Sequence, residues 1–277
     1  MGRVERRMYQ RARGRKRLRR VLLLCIVALI ALGVWLRWKG QNGLEMEPVP
    51  QPTNTPVTAS FDETVETREI TLESHTWYAI QTGIYSTRAA AEEKVNLYAQ
   101  RGAPGYVNQD GDKWRVYIAC YGDKDDAAAV RERLSTSQSV ETYLHTWACP
   151  EITLRLTGMV GQMDVAEAGL MLMHQAANVL RDNAQKLDGG EMTAGEAQEA
   201  IAALGESVAL WLNTAKARFT APYPALIQLE IQQAEGWAAR QKLLQKAEGA
   251  TALSAEMKLQ AMALFDQSCE LRQQLME

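Results

Sequence analysis

The sequence predicts an α+β chain: a hydrophobic span near the N-terminus, a compact β-α-β-β-α-β unit over residues 76–148, and a helical bundle to the end. Three observations carry this. Apolar residues alternate with period two in four short runs between 76 and 148. Two Ala-rich, acid-rich stretches separate those runs. Beyond residue 158 the apolar period lengthens to three or four.

The N-terminal 20 residues hold ten Lys and Arg against one Glu, a net +9, while the remaining 257 carry −11, so the overall −2 describes neither part. Val21 to Leu36 follows without a charge. At ~1.5 Å per residue it makes roughly 24 Å of helix, short of a ~30 Å hydrocarbon core. Trp35 and Trp38 at headgroup level, with Arg19, Arg20, Arg37 and Lys39 snorkelling outward, extend it to a span over 21–38. A secretory signal peptide shares the charged start, but no small-residue cleavage site follows; the exit is Trp35-Leu36-Arg37-Trp38. The basic excess before the span orients residues 1–20 as a cytoplasmic tail and everything after it outside the cell membrane. Anionic membrane lipid is the partner this tail suits, ahead of nucleic acid.

Residues 39–75 are rich in Pro, Thr, Glu and Asn, with Pro48, Pro50, Pro52 and Pro56 breaking any helix, and are expected to form an extended linker. Trp77–Gln81 then has strand character. Ser86 is the expected N-cap of a helix over 87–101, whose Ala91, Val95 and Tyr98 share a face and which Gly102 ends. Tyr106-Val107-Asn108 leads into the turn signal Asp110-Gly111 and out along Trp114–Ile118. Asp123 caps a second helix ending near Leu134, and Val140–Trp147 alternates as a fourth strand. Asn108, Asp110 and Asp112 have calcium-loop spacing, but Lys113 stands where Gly is required and no Glu follows, so a turn is expected and no metal.

From Tyr78 to Leu134 the segment closely resembles a SPOR (sporulation-related repeat) domain. Gln81, Gly83 and Tyr85 match its Gln-x-Gly-x-aromatic signature. Arg115, Val116, Ile118 and Tyr121 match its second strand, and Asp126, Ala127 and Leu134 the duplicated half. Ala119 and Cys120 replace the usual Gly-Pro. The resemblance implies a ferredoxin- or RNP-like sheet of four antiparallel strands, with two helices on one face. It also implies a bacterial, commonly single-pass protein that binds peptidoglycan glycan strands stripped of stem peptides, as in cell division or sporulation.

Strand alternation sends Tyr78 and Ile80 toward the helices and leaves Trp77, Gln81, Arg115 and Tyr117 on an open face, joined by Tyr143, His145 and Trp147. Flat aromatics suit the C–H faces of pyranose rings, and Gln and Arg supply directed hydrogen bonds. The candidate glycan-binding set is Trp77, Gln81, Tyr85, Ser86, Arg115, Tyr117, Tyr143 and Trp147. The competing expectation is that these aromatics pack against the downstream helices.

Ile152, Leu154 and Leu156 alternate in one more short strand or extended link closed by Gly158. Residues 149–277 are otherwise expected to form an antiparallel bundle. Met163 to Leu187 keep helical spacing, Thr193-x-x-Glu196 is a capping box, Pro222 and Pro224 break the second helix, and two more follow around 226–247 and 253–275. Their role, whether docking a protein partner through residues 151–277, spacing or dimerising, is left open. In the sheet order the resemblance implies, Cys120 and Cys149 flank a strand and are too far apart to bridge unless the tail after the fourth strand folds back, so their pairing is left open. No zinc pattern, Cys/His pair, nucleophile elbow or phosphate loop is present, so neither cofactor nor catalysis is expected. A paired-carboxylate hydrolase site stays open, because such pairs meet only in space.

Overall fold

The protein is described by a computed structural model that covers residues 64–99, 103–138 and 140–276. The basic tail, the expected span 21–38 and the proline-rich part of the linker lie outside the described residues. Among the described residues no helix is long and apolar enough to cross a membrane.

In chain order the elements are β1 (Val65–Leu72), β2 (His75–Tyr85), α1 (Arg88–Ala99), β3 (Tyr106–Asp110), β4 (Lys113–Tyr121), α2 (Lys124–Gln138), β5 (Tyr143–Cys149), β6 (Ile152–Met159), and the helices α3 (Val160–Asp188), α4 (Ala194–Arg218), α5 (Ala225–Lys246) and α6 (Gly249–Met276). The four-stranded sheet runs β3-β4-β2-β5, and all its pairings are antiparallel. This is the expected β-α-β-β-α-β unit.

Local chemistry sets its turns. Gly111, at φ +59°, begins the two-residue turn between β3 and β4, a backbone conformation that glycine adopts at little cost. Asp123 accepts the amides of Asp125 and Asp126 and opens α2. The cap of α1 is Thr87, whose hydroxyl accepts the Ala90 amide at 3.3 Å, and not Ser86; the helix starts one residue later than its composition suggests.

Strand β1 corrects the expected linker, because residues 65–72 are ordered sheet. Ile70 and Leu72 alternate with exposed Glu69 and Thr71, a period-two pattern that the surrounding Thr and Glu content obscures. Strand β1 pairs with β6 over its whole length. This ribbon continues the β2–β5 ladder without a change of register: Trp77 faces Trp147, His75 faces Cys149, Leu72 faces Ile152 and Ile70 faces Leu154. Only residues 73–74 and 150–151 interrupt it, and Pro150 has no N–H to contribute there. Buried Arg272 of α6 fills the break, its Nη1 donating to the carbonyls of Leu72 at 3.4 Å, Glu73 at 2.6 Å and Pro150 at 2.8 Å.

The helical region does not begin a separate body at residue 149, as the sequence suggested. All the described residues belong to one compact unit. One continuous core joins Trp77, Ala79, Tyr117, Cys120, Trp147 and Cys149 of the sheet to residues from all four C-terminal helices, including Phe265 and Leu180. A smaller core under α1 and α2 holds Ile80, Tyr98, Ile118, Tyr121 and Ala127.

The bundle forms for the reasons read from its sequence. Thr193 and Glu196 make both halves of the capping box. Trp211 donates from Nε1 to the Val165 carbonyl at 2.9 Å. Gly169 permits this packing, since a Cβ there would lie 2.5 Å from both Trp211 and Glu230.

Candidate functional site

Alternation places the side chains of β2 and β5 as expected. Tyr78, Ile80 and Leu144 belong to the core beneath α1 and α2, and Trp77 and Trp147 to the opposite face. On β4 the register shifts where Gln81 of β2 meets Tyr117, so Cys120, and not Ala119, shares a face with Tyr117. The residue of β4 left unpaired is Ile118, while Ala119 and Cys120 keep regular pairing with Ile80 and Ala79.

The face expected to be open is largely covered. Trp77, Tyr117, Trp147 and Gln81 are exposed by 2%, 0%, 7% and 5%. Helix α6 covers Trp77 and Trp147. The Phe265 ring lies on Trp77 with centroids 4.1 Å apart and meets Trp147 edge-on at 5.0 Å. Asp266 accepts the Tyr106 hydroxyl at 2.6 Å and the Asn108 amide at 2.8 Å. From α3, the Arg181 guanidinium stands 4.7 Å from the Trp77 ring. The physical cause is simple. Four aromatic rings on one sheet face are a large apolar surface, and an amphipathic helix of the same chain buries it at no cost in association entropy.

One corner of the face escapes α6. Gln81, Tyr117 and Tyr143 stand in one row across β4, β2 and β5. Tyr143 is 52% exposed. Arg115 donates from Nη1 to Gln81 Oε1 at 2.8 Å and from Nε to Asp110 Oδ2 at 2.7 Å, which fixes the guanidinium across the end of the sheet. His145 is half-buried and stacks on Tyr117, centroids 5.7 Å apart. Burial, reinforced by the Arg115 charge, lowers its pKa and keeps the imidazole neutral, able to donate at one nitrogen and accept at the other. Burial pushes the Tyr117 phenol up, and its hydroxyl has no hydrogen-bond partner. The corner thus offers an aromatic plane, a fixed cation and neutral polar groups.

Tyr85 and Ser86 do not join it. Tyr85 lies opposite Trp114, over which Arg88 of α1 stands at 5.6 Å, and burial near Tyr98 of α1 raises its pKa; it belongs to the helix side. Ser86 is an exposed residue between β2 and α1. Alternation alone separates Tyr85 from Gln81 poorly, because the register shifts between Ile80 and Gly83. Asp110 and His145 complete the corner; Asp110 was hidden in what reads as a turn signal.

Cys120, Cys149 and Cys269 are buried and free. Strand β2 separates the first two, as expected. Among the described residues no group of three or more His, Cys, Asp or Glu is placed to hold a metal ion.

Residues 74–144 match the SPOR domain family. The chain is 27% identical over 109 residues to the endolytic peptidoglycan transglycosylase RlpA of Escherichia coli strain K12, an alignment covering 38% of this chain and 30% of that protein. RlpA of E. coli O157:H7 aligns with the same identity and coverage. The chain therefore spans about 30% of the length of these curated relatives. The solution structure of the peptidoglycan binding domain of the B. subtilis cell wall lytic enzyme CwlC is 18% identical, matching 27% of this chain and 95% of that domain with a TM-score of 0.24.

Proposed function

We propose, from the SPOR domain that residues 74–144 carry, that this chain binds peptidoglycan through its glycan strands, and that it does so at the uncovered corner of the sheet. The carrying observation is the exposed Tyr143 ring, across the ladder from the Gln81 that with Asp110 fixes the Arg115 guanidinium. A pyranose ring laid on Tyr143 brings its hydroxyls and N-acetyl oxygen within reach of Arg115 and His145, and this needs no acid–base pair.

Magnitudes restrict binding to the corner. Uncovering Trp77, Tyr117, Trp147 and Phe265 exposes four large side chains at roughly 1.5–3 kcal/mol each, about 6–12 kcal/mol together, which takes up most or all of what a micromolar ligand supplies. A ligand moves an equilibrium only by its differential affinity, and a micromolar ligand supplies about 8 kcal/mol in all. Trp77 and Trp147 therefore hold the sheet to the bundle, and Tyr143, Arg115 and His145 meet the sugar, with buried Gln81 holding Arg115 in place.

The basic tail and apolar span of the N-terminal sequence support a single-pass anchor with the folded unit outside the cell membrane, and the SPOR resemblance supports a role in cell division or sporulation. The transglycosylase activity in the relatives' name belongs to those proteins; here the chain acts as a binder. The helical bundle completes the folding of the sheet, and any protein partner docks on its outer surface.

The test is co-sedimentation of the detergent-solubilised full chain with sacculi, either intact or stripped of stem peptides by amidase. Wild type pellets with stripped sacculi, and Tyr143→Ala and Arg115→Ala each weaken this about tenfold or more. Failure of wild type to pellet rejects glycan binding. Undiminished binding by both variants rejects the corner.

A further inference from the structure

The seam between sheet and bundle brings two cysteines together. Phe265, Cys269 and Arg272 follow one another at i, i+4 and i+7 on one face of α6. The first rests on Trp77 and Trp147, and the third donates to the carbonyl of Pro150. Trp147, Cys149 and Pro150 follow along β5 and out of it, with Trp147 and Cys149 on the same face of the sheet.

The two advances match. Cys269 lies ~6 Å beyond Phe265 along the helix, and Cys149 ~7 Å beyond Trp147 along the strand. Anchored at Phe265 on one side and Arg272 on the other, Cys269 meets Cys149. Both are buried, at 5% and 0% exposure, in the same core, and their thiols hydrogen-bond to each other.

Among the described residues Cys120 has no such neighbour. It pairs across β4–β2 with Ala79, while Cys149 pairs across β5–β2 with His75. Two strand spacings, ~10 Å, and four residues along the strand, ~13 Å, separate them, well beyond the ~7 Å reach of a disulfide.

We infer that Cys149 and Cys269 are a disulfide-forming pair that fastens helix α6 covalently to strand β5. Because the native thiols are buried, the bond forms during folding, by exchange with a small-molecule disulfide or an oxidised dithiol protein. One cysteine attacks the oxidant's disulfide as its thiolate and releases one oxidant thiol. The other then displaces the second from the mixed disulfide. One S–S bond forms in the chain and one breaks in the oxidant, and the two protons and two electrons end on the oxidant's thiols. Glycan binding plays no part in this chemistry.

The test refolds the reduced full chain, which has four cysteines, in a glutathione redox buffer, then alkylates it in denaturant and maps its peptides. The expected result is a peptide joining Cys149 to Cys269, a loss of ~2 Da against the reduced chain, and no alkylation at those two residues. Reduction, or Cys269→Ser, lowers Tm by about 5–15 °C. Full alkylation of both residues after refolding overturns the pairing, and so does a bridge from either one to Cys120. Because the map is made on the wild-type chain, it decides the pairing even if a variant fails to fold.

Discussion

Phe265 of α6 lies nearly flat on Trp77 of β2, with ring centroids 4.1 Å apart and planes inclined by 12°. The ring is fully buried and also meets Trp147 and His174. Phe265→Ala leaves a cavity between sheet and bundle and costs about 3–5 kcal/mol. Denaturant titration checks this: the midpoint falls while the slope is unchanged. A loss under ~1 kcal/mol means that α6 does not rest on this face.

Arg272 bridges a break that the backbone cannot close by itself. Its guanidinium is the donor to carbonyls on both sides of the interrupted ladder. Arg272→Met keeps the apolar stem but leaves those carbonyls unpaired, at a cost of about 2–4 kcal/mol. Amide exchange should rise at residues 70–76 more than in α4. Uniform exchange across the chain would show that the break needs no donor.

Much of this was legible in the sequence because it is local. Asp123, Gly111 and the Thr193–Glu196 box act within a few residues, and the alternation of Trp77 with Tyr78 or Trp147 with Leu144 needs only the strand period. What escaped depends on distant partners. Nothing near Trp77 says that Phe265, far along the chain, will cover it, so an exposed sugar platform and a buried seam look alike. Both were expected as alternatives, and packing chose the seam for Trp77, Tyr117 and Trp147. Strand β1 was hidden for the same reason: Ile70 and Leu72 are only two apolar positions until β6 supplies Ile152 and Leu154. Strand alternation would put Ala119 on the face of Tyr117, but it lies on the opposite one, because a register shift is a property of two strands.

The seam also carries an acid sensitivity. His75 of β2 and His174 of α3 stack with centroids 3.8 Å apart. Asn178 of α3 bonds His174 Nε2, while Nδ1 has no partner. Arg181 of α3 and Arg272 of α6 act on both rings, and Glu73 opposes them at His75. Burial, then the neighbouring cations, push His174 down to about 3 and lower His75 as well. A histidine with a lowered folded pKa contributes full stability above its unfolded pKa of ~6.5 and loses it as pH falls toward the folded value. Stability should drop by about 2 kcal/mol from His174 alone between pH 6.5 and 5. His174→Gln should flatten that part of the curve, as measured by denaturant midpoints at stepped pH; an unchanged slope places the acid sensitivity elsewhere.

Glu230 imposes the opposite dependence. It is 3% exposed on α5, neither carboxylate oxygen has a hydrogen-bond partner, and it packs where Gly169 and Trp211 leave just enough room. Burial pushes its pKa up to about 9, so the folded chain holds it neutral at pH 7. A carboxyl with a raised folded pKa contributes full stability below its unfolded value of ~4.3 and loses it as pH rises toward the folded one. By pH 8 the cost is a few kcal/mol, about 1.4 per unit of pH. Glu230→Gln preserves the shape and removes the titration. The variant and wild type should match within ~1 kcal/mol at pH 4, and the variant should be more stable by about 4–5 kcal/mol at pH 8. Parallel stability curves for the two proteins between pH 4 and 8 would show that Glu230 is ionised in the folded bundle.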